Sequence, residues 1–178
     1  MKIKVKYFSK DIPPLEVIKK GDWIDLRARV GLEASKPQAG TSYKVTGEDG
    51  KVRTFRDVTF THTLIPLGVG MELPEGFEAL IAPRGSTYGN YGFIIVNSPG
   101  VIDNTYNGNR DEWKCNALFL KEGTVNPNDR ICQFRIQLSQ KATPWQKLKW
   151  LFVRKIEFVP VNSLREKDRG GFGKTGRA

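Results

Sequence analysis

Short apolar runs cut at close intervals by turn formers leave this chain little choice but an all-β fold. Lys2 to Phe8 alternates, placing Ile3, Val5 and Tyr7 on one face. Further runs are Leu64 to Met71, Phe77 to Ala82, Phe93 to Asn97, Asn116 to Leu120 and Ile156 to Val161. Pro74-Glu75-Gly76 and Asn126-Pro127-Asn128-Asp129 punctuate them as turns. Many short strands at this spacing predict a sandwich or a jelly-roll barrel. In Ile131 to Leu138 the apolar Cys132, Phe134, Ile136 and Leu138 share one face, so Gln133 and Arg135 point the other way, and Gln133 is free to meet a ligand.

Two stretches look added to this plan. From about Glu33 to Thr63 the chain turns polar, with Gly47-Glu48-Asp49-Gly50 as a hairpin tip between Tyr43-Lys44-Val45 and Val52-Arg53-Thr54-Phe55. The second, at about 143–155, holds the one predicted helix. Thr143-Pro144-Trp145-Gln146 supplies an N-cap, a first-turn proline and a capping-box glutamine. Trp145, Leu148 and Leu151 or Phe152 then recur at helical spacing among Lys147, Lys149 and Arg154. Packing of this stripe onto the β body is the expected outcome, although a basic amphipathic helix also suits a membrane surface or a partner.

At 178 residues the chain suits a single domain. No apolar run approaches the roughly 20 residues of a bilayer span. The alternating start Met1 to Lys6 lacks a signal-peptide core, so no membrane association and a cytoplasmic location are expected. Cys115 and Cys132 lack metal-site spacing and read as reduced core residues. The net charge of +10 invites a nucleic-acid reading, but the charges are dispersed and no nucleic-acid module is present. A smaller phosphate-bearing ligand is the favoured partner.

With His62 as the single histidine, acid/base chemistry would fall to a carboxylate. Asp103 qualifies: in Gly100-Val101-Ile102-Asp103-Asn104-Thr105-Tyr106 it follows an apolar strand and lies three residues before an aromatic ring. The last residues, Asp168 to Gly176, form a glycine-rich, basic tail with one ring, Phe172. Gly173-Lys174-Thr175 imitates the end of a P-loop, but the required earlier glycine is Asp168 and no helix follows.

Five segments in order resemble the motifs of the homotrimeric all-β dUTPase family, nearest its phage-type members. They are Gly21-Asp22-Trp23-Ile24-Asp25-Leu26-Arg27-Ala28, Pro83-Arg84-Gly85-Ser86-Thr87, Gly100 to Gly108, Asp129-Arg130-Ile131-Cys132-Gln133 and Arg169 to Gly176. Each alone is weak; all five in family order are strong. The resemblance implies a distorted jelly-roll (β-clip) barrel over 1–167, with one short added helix and an inserted hairpin. Residues 168–178 would be a flexible C-terminal lid over a neighbour's site. It implies hydrolysis of dUTP to dUMP and pyrophosphate, with Mg2+, in a homotrimer whose active sites are shared. Motif three would come from one subunit, motifs one, two and four from a second, and the tail from the third.

By the same resemblance Asp103 is the general base for the attacking water, and Gln133 helps hold that water. Tyr106 lies against the deoxyribose. The hairpin around Gly100 and Ile102 reads uracil with Asn97 assisting, since main-chain donors and acceptors distinguish the uracil edge from the cytosine edge. Arg84, Ser86 and Arg130 hold phosphates. Asp25 reaches the magnesium through water. Phe172 stacks on the base while Arg169, Gly173, Lys174 and Thr175 reach the outer phosphates. One departure stands out: the family's serine after the motif-two arginine is Gly85 here. The Gly85 N–H serves alone, Ser86 takes over, or catalytic power is lost.

Two other readings compete. A dCTP deaminase shares the fold, but needs a glutamate on the strand after the motif-three turn. That strand, Lys114 to Leu120, has no carboxylate, and Glu112 precedes it. Alternatively the chain is a regulatory or binding protein on this scaffold, gripping a protein partner with its two insertions.

Overall fold

Ile3 and Val5 have no solvent exposure, and β1 (Lys2–Tyr7), the strand that carries them, is central in a three-stranded sheet. The structure is a computed structural model that describes residues 1–17, 21–153 and 155–165. The strands that follow are β2 (Ile24–Arg27), β3 (Leu32–Ala34), β4 (Gln38–Thr46), β5 (Val52–Thr59), β6 (Thr61–Pro66), β7 (Val69–Glu72) and β8 (Phe77–Pro83). Helix α1 (Thr87–Tyr91) precedes β9 (Phe93–Ile95), β10 (Gly100–Asp103), β11 (Lys114–Phe119), β12 (Gly123–Val125) and β13 (Arg130–Leu138). Helix α2 (Pro144–Leu151) and β14 (Glu157–Pro160) complete the set.

The expected all-β architecture is present, with two differences. First, the ladders form separate sheets, ordered β14-β1-β7, β10-β8-β13-β2, β6-β11-β9, β12-β3 and β4-β5, and do not close into one barrel. Second, the described residues hold two helices where one was expected. The unexpected α1 has five residues and no amphipathic period. Thr87 makes it, through tertiary bonds: its buried hydroxyl accepts from Arg84 N (2.8 Å) and donates to Ile131 O (2.9 Å).

Leu64 to Met71, read as one run, is two strands. Gly68 has φ +69° and no room for a Cβ, which would meet the Ile12 side chain. The chain turns there, so β6 pairs with β11 and β7 with β1. Trp113, Phe134, Phe93 and Phe119 lie buried where the sheets meet, Trp113 edge-on to Phe134 at 5.2 Å. The predicted added hairpin is β4–β5, exposed along both strands, with Tyr43 stacked on Phe55 across the ladder. The flanking β3 and β6 pair with β12 and β11 and so belong to the body.

Helix α2 has the predicted capping box: Thr143 Oγ1 accepts from Gln146 N, and the Gln146 side chain accepts from Thr143 N. Its predicted packing face does not pack. Trp150 meets Phe77 edge-on at 5.2 Å, while Trp145, Leu148, Leu151 and Phe152 remain exposed. No helix among the described residues is long and apolar enough to cross a membrane.

Candidate active site

Register in the four-stranded sheet gathers motifs one, two and four at one end. Gln133 on β13 pairs with Asp25 on β2 and with Ala82 on β8, one residue before Pro83 and two before Arg84. Asp25 therefore lies between two guanidiniums. Its Oδ1 is 2.7 Å from Arg84 Nε and its Oδ2 is 3.2 Å from Arg130 Nη1. One carboxylate cannot neutralise two cations, and a guanidinium has five donors. The cluster keeps a net positive charge and donors to spare for phosphate oxygens. Gln133 Nε2 donates to Pro83 O at 3.0 Å, which orients its amide against the same strand end.

Gly85 and Ser86 are exposed beside this cluster, and the Ser86 hydroxyl makes no capping bond to α1. A Cβ added at Gly85 would meet nothing within 4 Å. A further cation joins the cluster without a role that motif order assigns to it. Arg27 lies two residues beyond Asp25, on the same face of β2, and Asp25, Arg27 and Arg130 line a groove with Pro13, Pro14 and Glu16. That spacing was the available signal.

Motif three is elsewhere. Asp103 ends β10, and its Oδ1 accepts from Thr105 N (2.8 Å) and from the Thr105 hydroxyl. An Asx turn thus fixes the carboxylate. Tyr106 N donates to Asp103 O, and the Tyr106 hydroxyl donates to Glu112 O at 3.1 Å, holding the ring half-buried against the core. A small cavity beside β10 is lined by Asn97, Gly100, Ile102, Lys114, Cys115 and Asn116, among others. The exposed His62 is bonded to Asn116 Oδ1 at 2.6 Å, across the β6–β11 ladder. Burial pushes the Cys132 thiol well above the ordinary thiol range, with Cys115 adding to it, which suits the expected inert core role.

The two groups of residues do not meet within one chain. Asp103 is opposite Glu78 on β8, and Arg84 comes six residues later along that strand's course. At about 3.3 Å per residue the separation is about 20 Å. Asp103 and the arginine cluster thus lie toward opposite ends of β8. Arg169, Phe172, Gly173, Lys174 and Thr175 lie outside the described residues.

Among the described residues, no group of three or more His, Cys, Asp or Glu side chains could hold a metal. Asp25 gives each oxygen to one guanidinium, so a lone pair on each remains for a water, which fits outer-shell contact with a hydrated Mg2+ and not a direct ligand role.

Glu112, the carboxylate nearest the deaminase position, is engaged otherwise. Arg29 grips it in bidentate fashion (2.7 and 3.0 Å) and Gly68 N donates to it at 2.8 Å, tying three distant segments together. Glu112→Ala should therefore lower unfolding free energy by about 2 kcal/mol, because it leaves the Gly68 amide unpaired and the partly exposed Arg29 without its partner. Urea unfolding measures this directly.

A family model described as dUTPase matches residues 52–176. The chain is 37% identical over 176 residues to the SPbeta prophage-derived deoxyuridine 5'-triphosphate nucleotidohydrolase of Bacillus subtilis, covering 99% of each. It is 36% identical over 138 residues to the deoxyuridine 5'-triphosphate nucleotidohydrolase of Finegoldia magna, covering 74% of this chain and 85% of that one. In fold it is similar to the dUTPase of Streptococcus mutans (TM-score 0.57, 17% identity, 77% and 93% covered). It is likewise similar to the dUTPase of phage phi11 of S. aureus (TM-score 0.58, 14% identity, 79% and 92% covered). Another structure of the phi11 enzyme is described with a structural Mg(II) ion.

Proposed function

The chain belongs to the dUTPase family, and from that premise we propose that it hydrolyses dUTP to dUMP and pyrophosphate in sites assembled between subunits. The observation that carries the assembly is the separation of the half-sites. Asp103 lies opposite Glu78 at the start of β8, the Arg84–Asp25–Arg130 cluster lies past that strand's other end, and the cavity at Gly100–Ile102 is between them. Neither end alone has both a base and a phosphate cradle. A homotrimer, as in the family, lets one subunit's base face a second subunit's arginines.

In this reading uracil enters the cavity at Asn97, Gly100 and Ile102, read by main-chain groups, and deoxyribose rests on Tyr106. The Glu112 carbonyl holds that ring by its hydroxyl, so a 2′-hydroxyl meets a surface that cannot retreat. Arg84 and Arg130 hold the phosphates, with Gly85 N–H and Ser86 beside them. Asp103 takes the proton of the water that attacks the α-phosphorus, and Gln133 of the other subunit orients that water. Bound Mg2+ would neutralise phosphate charge, with Asp25 holding one of its waters. Arg169, Gly173, Lys174 and Thr175 of the third subunit's tail cover the outer phosphates, and Phe172 covers the base. Residues 1–167 would act as the catalytic domain and 168–178 as the lid, in the cytoplasm.

Pyrophosphate release measured across all nucleoside and deoxynucleoside triphosphates tests the reading. Release with dUTP far above the rest is expected. Ammonia from dCTP would instead favour the deaminase, and binding without pyrophosphate a purely regulatory protein.

Gly85 permits a sharper test. Gly85→Ser has space for its side chain and needs no unusual φ, so it should fold unchanged. A hydroxyl donor restored beside developing phosphate charge should raise kcat by about tenfold, a fraction of the 10²–10³ that one such donor contributes elsewhere. Steady-state kinetics with a thermal melt checks both halves.

A further inference from the structure

Two arginines face each other where β2 ends and β13 begins. Arg27 and Arg130 are directly opposite in the ladder, a like-charge pair that weakens the strand end it occupies. Arg130 is steadied by Asp25 at 3.2 Å. Arg27, two residues from that carboxylate on the same face of β2, turns elsewhere: its Nη1 donates to Asn128 O at 2.7 Å. The bond is charge-assisted, and it ties β2 to the turn that precedes β13.

That turn, Asn126-Pro127-Asn128-Asp129, needs holding. Asp129 N donates to Asn126 O at 3.1 Å, and Asn126 N donates to Asp129 Oδ2 at 2.8 Å. Proline second and a left-handed residue third make the type II pattern, whose third place suits glycine. Asn128 has φ +69°, the one positive value at a residue other than glycine among the described residues. Its side chain does not offset that strain, because the amide oxygen is buried with no donor to it among the described residues. The backbone does the holding: Asn128 N donates to Ala28 O at 2.8 Å, and the Asn128 carbonyl takes Arg27.

Arg130 follows Asn128 by two residues, and the β2–β13 register shifts between Arg130 and Cys132, so regular pairing farther along β13 does not fix it. The Arg130 carbonyl in turn accepts from Arg84 Nη1 at 3.2 Å. We propose that Arg27 is a positioning residue: it fixes Asn128 in the left-handed conformation and thereby sets where Arg130, and Arg84 with it, present their donors, a role that rests on the reading of both arginines as phosphate holders. The rival is direct contact between Arg27 and a phosphate, and glycine separates the two. Glycine at position 128 takes this φ without strain and removes the orphaned amide, but supplies no donor and no charge.

The test is steady-state pyrophosphate release from dUTP by the full chain, with calorimetric titration of inorganic tripolyphosphate beside it. Arg27→Ala should raise KM and weaken tripolyphosphate binding by about tenfold, with kcat changed by no more than about twofold, since Arg130 holds phosphate in ground and transition states alike. Asn128→Ala, which strains the turn and leaves Arg27 in place, should show the same pattern. Arg27→Ala/Asn128→Gly should return KM and affinity to within about threefold of the parent. A double variant as weak as Arg27→Ala would overturn the proposal and make Arg27 a direct phosphate contact. So would Arg27→Ala or Asn128→Ala with the parent's KM and tripolyphosphate affinity. A parent that binds tripolyphosphate but releases no pyrophosphate would remove the dUTP reading alone, and the binding comparison would still decide for or against Arg27.

Discussion

Exchanging Asp103 for asparagine is expected to cut kcat for dUTP by about 10²–10⁴-fold, the usual contribution of a positioned general base. Asparagine has nearly the same volume, and its Oδ1 still accepts from Thr105 N and the Thr105 hydroxyl, so the turn at the end of β10 should survive. What disappears is the negative charge that takes the water's proton. Substrate contacts made by Asn97, Tyr106 and the arginines are untouched, so KM should change little, and the split between kcat and KM distinguishes a lost base from a lost binding site. Pyrophosphate release gives both constants, and a melt within a few degrees of the parent excludes misfolding. A variant turning over at a rate near the parent's would remove Asp103 from this role.

Most of the body was legible because two-residue alternation and turn residues are local signals. Ile3 and Val5, or Cys132, Phe134 and Ile136, declare their faces by sequence alone, and the burial agrees. Elements decided by tertiary contacts were not legible. Gly68 divides an apolar run because Ile12, far away in sequence, fills the space beside it. Thr87 makes a helix because Ile131 O is there to accept its hydroxyl. The capping box of α2 is local and was readable; the face that packs was not, because the ring that anchors it is Trp150, outside the apparent stripe. The site divides in the same way. Motif residues could be picked out by type and order, but not that Asp25 would sit between Arg84 and Arg130, since strand register alone brings three distant segments together.

That register also makes the shared site testable without a structure of the assembly. Arg84→Ala should by itself reduce turnover severely, because it removes a phosphate-holding fork and leaves Asp25 with Arg130 alone. Asp103→Asn should be nearly inactive for the reason given above. If base and arginine belonged to the same chain's site, no mixture of the two variants could work, since every site would contain a defect. In the proposed arrangement, with Asp103 and Arg84 about 20 Å apart along β8, a site would draw its base from one subunit and its arginine from another. Unfolding the two variants together in equal amounts and refolding them should therefore restore activity, because about a quarter of all sites then pair an intact Asp103 with an intact Arg84. Each variant refolded alone, or the two mixed without unfolding if subunits exchange slowly, should remain at the level of the single defects. Recovery from almost nothing to about a quarter of parent turnover is a large signal. Its absence, with trimers shown to have mixed, would place catalysis within a single chain and remove the intersubunit arrangement altogether.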